Sequence, residues 1–197
     1  MNIYSYYGVR PIIKPSAYVH PQAVIIGNVE IGEDVYIGPG AVLRGDFGKI
    51  IVKDGANVQE NCVVHVFPQI ETILEESAHI GHGAIVHSGH IGKNCLVGMN
   101  AVIMDKAEIG EECIIGALSF VPANFKCDRR KLIVGSPAKI IKEVSDEMIA
   151  WKTKGTGIYQ QLAKEAKEAI QPCEPLSEYA KQTPSKVVDY SIWADLK

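Results

Sequence analysis

Residues Val19–Gly48 read VHPQAV IIGNVE IGEDVY IGPGAV LRGDFG, and the spacing of their aliphatic side chains decides the fold. Val19, Ile25, Ile31, Ile37 and Leu43 recur every six positions. After a short insertion come Val52, Val58 and Val64. After a second come Leu74, Ile80, Val86, Ile91, Val97, Ile103, Ile109, Ile115 and Val121, with one five-residue step between Val86 and Ile91. Val134, in VGSPAK, is the expected last rung. An α-helix would scatter a period of six around its cylinder, and its glycines would cost roughly 1 kcal/mol each. Short strands joined by tight corners satisfy the pattern. The aliphatic points inward, and the small residue four places later (Ala23, Val35, Ala41, Cys62, Ala84, Cys95, Ala101, Cys113) packs the corner. Three such strands make one 18-residue coil of a triangular parallel β-helix.

Composition bounds the rest. A chain of 197 residues holds one domain and an appendage. With 47% hydrophobic and 22% charged residues it can bury a core, which excludes disorder throughout. Net charge is -3 and no basic run exceeds Lys126–Lys131, so nucleic acid is not an expected partner. No apolar run approaches the ~20 residues that span a bilayer, and MNIYSYYGVRP carries no signal pattern. A cytoplasmic protein without membrane contact is expected. The five cysteines form no CxxC pair, which argues against a disulfide framework or a cysteine zinc site.

The expected organisation is a β-helix over 1–144, helices over 145–171 and a tail or arm over 172–197. Ser145 is the expected N-cap, Gly155 and Gly157 a break between two helices, and Pro172 the stop.

The repeat register places three of the six histidines. His65 and His87 each follow an inward valine, Val64 and Val86, one coil apart, so they stack on one outer face about 4.8 Å from each other. Arg44, after Leu43, joins the same column. His82 and Gln59 fall on the preceding face, around a corner. Two imidazoles one coil apart can share a metal, but a third from His82 must come from another subunit, which a three-fold trimer of prisms supplies. Three imidazoles and an open water position are what a catalytic zinc requires. An imidazole ladder that only packs a trimer interface is the plainer alternative. His20, His79 and His90 are read as ordinary surface or core residues.

These residues carry a resemblance. Arg44-Gly45-Asp46, Gln59 with His65 six later, and His82 with His87 five later in IGHGAIVHSGHIG resemble the γ-class carbonic anhydrase family. ESAHIGHGAIVH, VGMNAVIMD, VGSPAK and WKTKGTGIYQQL narrow it to the branch of phenylacetic acid degradation and carnitine-operon proteins. The likeness runs from about Tyr7 to about residue 175. It implies a single-stranded left-handed parallel β-helix of hexapeptide repeats with C-terminal helices, assembled as a homotrimer. It further implies that His65 and His87 of one subunit and His82 of the next bind Zn2+, which iron or cobalt can replace. Arg44 and Asp46 would form an inter-subunit ion pair, Gln59 would orient the metal-bound water, and Tyr159 would reach the metal mouth unless it merely packs its helix.

A zinc held by three neutral histidines brings the pKa of its water to about 7, and the resulting hydroxide can attack carbon dioxide or a thioester carbonyl. Phe47 follows Asp46 where the family's fast hydrases carry glutamate, and the loop VFPQIETI has Glu71 as its one acid. Hydrolysis of CoA thioesters is therefore the leading expectation. Carbon dioxide hydration, a non-catalytic accessory role and metal-free hexapeptide acyl transfer are the alternatives.

Overall fold

The computed structural model describes residues 2–182 and 188–196, and the parts of the expected tail at 183–187 and 197 lie outside them. It is the left-handed parallel β-helix expected from the repeat, with the predicted aliphatics as its core. Ile25, Ile37, Leu43, Val64, Leu74, Ile80, Val86 and Ile103 are fully buried, and so are the corner residues Ala41, Cys62, Ala84, Cys95 and Cys113. The cysteines pack without disulfides. Burial pushes the Cys62 thiol up to about 11, in keeping with an inert role.

The last rung is a correction. Ile115 pairs with Ile133, not Val134, and Ile133 is the fully buried residue. The strand Lys131–Gly135 then folds back antiparallel onto Ala138–Glu143, which closes the end of the solenoid. That hairpin breaks the six-residue step that had extrapolated to Val134.

The residue before each inward aliphatic points outward, so the three faces have three chemistries. On the first, Tyr18, Tyr36, Asn57, His79, Leu96, Ile114 and Leu132 stack in register over seven rungs. On the second, Val42, Val63, Ile85, Val102 and Phe120 stack likewise, and Val63, Ile85 and Phe120 remain more than a third exposed. On the third, His90, Glu108 and Lys126 form a polar ladder, with Lys126 bound to Glu108 at 2.7 Å.

Helix α1, Asp146–Ala169, covers the first face from end to end. Ser145 caps it as predicted, its Oγ accepting from Met148 N at 3.3 Å. The expected break at Gly155 and Gly157 is absent: α1 is continuous. Packing against the face outweighs the low helix propensity of the two glycines. Gly155 also has a role, since a Cβ there would lie 2.6 Å from Tyr190 Oη. Of the expected tail or arm, residues of 188–196 return to α1. Trp151 stacks on Tyr190 with centroids 5.7 Å apart and donates its indole N–H to Ser191 O at 2.9 Å. Among the described residues no helix is long and apolar enough to cross a membrane.

Because Ile103 is clamped between Val86 and Val121 on adjacent coils, Ile103→Ala is expected to cost about 2–5 kcal/mol, read from urea unfolding midpoints.

Candidate metal centre

The register argument for His65 and His87 holds. Strand Val63–His65 pairs with Ile85–His87 so that the two histidines are direct partners, and Arg44 is the partner of His65 one coil earlier. Gly45 makes the Arg-Gly-Asp segment fit, because a Cβ there would lie 2.4 Å from Asn28 O.

Hydrogen bonding fixes the two rings. His65 Nε2 lies 3.0 Å from Asp46 Oδ1, and His87 Nδ1 lies 2.5 Å from Asp105 Oδ1. Each of those nitrogens donates to its carboxylate when the ring is neutral, which leaves the lone pairs of His65 Nδ1 and His87 Nε2 facing one another at 3.0 Å. Two lone pairs so placed repel unless a cation lies between them. Two nitrogens on a tetrahedral zinc, at 2.0–2.1 Å each, stand about 3.3 Å apart. Burial, followed by the opposing pull of Asp46, leaves the His65 pKa lowered, which favours the neutral ring a metal needs. Burial acts to raise Asp46, but hydrogen bonds from His65 and Arg44 outweigh it and hold the carboxyl below its usual range. Phe47 and Phe67 pack edge-on against His65 and His87, with centroids 5.5 and 4.9 Å away.

The Arg44–Asp46 ion pair, expected between subunits, closes within one chain. The two residues are two apart on one strand and point the same way, so the carboxylate meets its own arginine first.

His82 stands apart, in the corner after strand His79–Ile80. Gly83, with φ +71° and a would-be Cβ 2.2 Å from Asn100 Oδ1, makes that corner sharp and leaves the His82 side chain 47% exposed. Its Nδ1 is held by Glu60 Oε2 at 2.5 Å, which frees Nε2 to face outward. Among the described residues of one chain no three metal-ligating side chains converge. One chain offers two facing nitrogens and, around a corner, a third.

Gln59 and Tyr159 belong to the His82 side. Gln59 is 2% exposed; its Nε2 donates to Asn57 Oδ1 at 3.0 Å and lies 2.5 Å from His79 Nε2. Tyr159 packs edge-on against His79 at 5.2 Å and tilted against Tyr36 at 5.5 Å, so it is chiefly a packing residue, although it shares a cavity wall with Gln59 and His82. Burial pushes its phenol up to about 12.

Three supporting residues went unread in the sequence. Asp105 lies 18 residues after His87, one coil further on, so the register could have found it. Glu60 follows Gln59 directly. His79, set aside as ordinary, links Gln59 to Thr156 Oγ1 of α1 at 3.2 Å, a contact across 77 residues that no local pattern signals.

A model for bacterial transferase hexapeptide (six repeats) matches residues 10–45 and 90–123. The chain is 50% identical over 177 residues to the carnitine operon protein CaiE of Proteus sp. (strain LE138), covering 90% of each chain. Among solved structures, a putative acetyltransferase from Bacillus cereus is 38% identical with a TM-score of 0.83, covering 85% of this chain and 98% of that one. A hexapeptide transferase family protein from Anaplasma phagocytophilum is 34% identical with a TM-score of 0.79, covering 82% and 96%.

Proposed function

Since the chain belongs to the hexapeptide-repeat transferase-like family and is a relative of the CaiE proteins, we propose that it is a homotrimeric metal-dependent hydrolase of acyl thioesters, with each site shared between two subunits. The observation that carries this reading is the pair of facing imidazole nitrogens, each fixed by a carboxylate on its other nitrogen. His65 and His87 of one subunit and His82 of a neighbour would hold the ion, zinc by donor type, with iron or cobalt as substitutes. When bound, the metal supplies Lewis acidity, polarising a carbonyl and acidifying water to near neutrality.

The protein's own residues do the rest. Asp105, Glu60 and Asp46 fix the ring orientations and tautomers of His87, His82 and His65. Gln59 spends its amide N–H groups on Asn57 and His79, which leaves its carbonyl oxygen to accept a hydrogen bond from water. Arg44 holds Asp46 in place and lies over Phe47, 5.7 Å from the ring centroid. In the net reaction the water oxygen bonds to the thioester carbon, the C–S bond breaks and the proton leaves with the thiol.

Assembly rests on the second face. Its apolar ladder continues into the corner at Met99 and Leu118, both more than half exposed, and Leu118 holds φ +60°, a conformation leucine rarely adopts. A second copy seated there would cover the ladder that carries His65 and His87.

Similarity to a putative acetyltransferase of Bacillus cereus favours a second reading, acyl transfer to an acceptor other than water. Chelator-sensitive release of free acid and CoA from a thioester panel supports hydrolysis, whereas release that depends on an added acceptor supports transfer. Subunit sharing has its own test. His65→Ala and His82→Ala proteins are each expected to bind no metal, and an equal mixture of exchanging trimers should regain about a quarter of the sites. No recovery in trimers shown by mass to have exchanged would overturn the shared site.

A further inference from the structure

Along the first face α1 packs apolar side chains at both ends, while Lys152, Thr156 and Gln160 of its middle turns hydrogen-bond to the solenoid at Ser77, Asn94, His79 and Gly55. At one end Ala163 and Ala166 pack on Tyr18 and Tyr36; at the other Met148 packs on Ile114. Between them lies a cavity of about 910 Å³, within the size range of pockets that take small molecules. Leu96, Met99 and Ile114 line it from the solenoid, and Trp151, Ile158 and Leu162 from α1. Tyr190 and Trp193, from the returning tail, add aromatic wall.

Two details say what fits. Lys152 is 3% exposed and lines the cavity, yet its ammonium is held by Ser77 O and Asn94 Oδ1, both at 2.7 Å, and neither of those residues lines the cavity. What the lysine offers inward is its methylene stem. Apart from Lys142 and the hydroxyls of Tyr159 and Tyr190, the polar lining is gathered at Gln59, Glu60, His79 and His82, so the apolar space runs up to one of the three candidate metal ligands. Against the remaining apolar walls a pantetheine or nucleotide would leave most of its polar groups unpaired, whereas a hydrocarbon chain would not.

We infer that this cavity is the acyl pocket, which takes an unbranched apolar acyl chain with the carbonyl end at His82 and the hydrocarbon end under Trp151 and Met148. The assignment rests on the thioester reading for the carbonyl's position, but the pocket itself can be tested without turnover.

Isothermal titration of the full-length protein with butanoate, hexanoate, octanoate and decanoate needs neither metal nor catalysis. Each added methylene is expected to tighten binding roughly fourfold, the equivalent of about 0.8 kcal/mol, until the cavity is filled. Leu96→Trp, which fills the space, should weaken octanoate binding at least tenfold. Leu96→Ala, which enlarges it, should move the best chain length upward, and it serves if the tryptophan variant fails to fold. Affinity that ignores chain length, or ignores both substitutions, overturns the pocket. Chain-length dependence without chelator-sensitive thioester release keeps the pocket and removes the hydrolase; release without the dependence does the reverse.

Discussion

His87→Ala is expected to leave the solenoid folded and to remove both the bound metal and roughly 1,000-fold or more of thioester hydrolysis. The loss is of this size because Lewis-acid stabilisation is worth several kcal/mol, and each 1.4 kcal/mol is a tenfold change in rate. Folding survives because His87 points outward; the inward residue of that strand is Val86. Asp105→Asn is the graded companion. It keeps the ring in place but weakens the carboxylate partner of His87 Nδ1, and a 10- to 100-fold loss of metal affinity is expected. Metal content by elemental analysis and CoA release with a thiol reagent read both variants. Full metal occupancy in His87→Ala would remove the histidine from the site.

The second large effect is on stability against pH. Unfolded, a lysine titrates near 10.4 and a histidine near 6.5. In the folded protein burial pushes Lys152 down to about 7, and burial followed by the charge of Lys152 pushes His79 down to about 3. Folding therefore releases protons across two windows, about 7 to 10.4 for Lys152 and about 3 to 6.5 for His79. Stability is complete above the unfolded values and is lost as the pH falls through each window, with a limiting slope of about 1.4 kcal/mol per pH unit per group. Urea midpoints should thus rise from pH 7 toward pH 10. Lys152→Met should flatten that upper slope, and His79→Gln the lower one. An unchanged slope in either variant would show that the group is not buried as described.

The solenoid was legible because one interior constraint, an aliphatic at every corner-to-corner step, is written in the chain at fixed spacing. The same register placed Arg44, His65 and His87 in one column and put His82 around a corner. It failed at Val134, where a hairpin replaces the repeat, and at Gly155, where tertiary packing outweighs helix propensity. It was silent about His79, Thr156 and Lys152, whose partners lie 58 to 77 residues away in sequence. Side-chain networks of this kind depend on where α1 docks, and the docking follows from the outward column of the first face, whose period of about 18 residues is easily mistaken for surface variation.

That docking also sets an order of events during synthesis. Coils of a solenoid stack on their predecessors as they emerge, since each needs only its neighbour. The first coils here are an exception: Tyr18 and Tyr36 are covered by Tyr159, Ala163 and Ala166, and Pro15 O is reached by Lys167, 152 residues downstream. At 5–20 residues per second a nascent chain would carry that uncovered tyrosine pair for roughly ten seconds. Chaperone contact, or pairing with another nascent copy, would be concentrated in that interval and at that end of the prism.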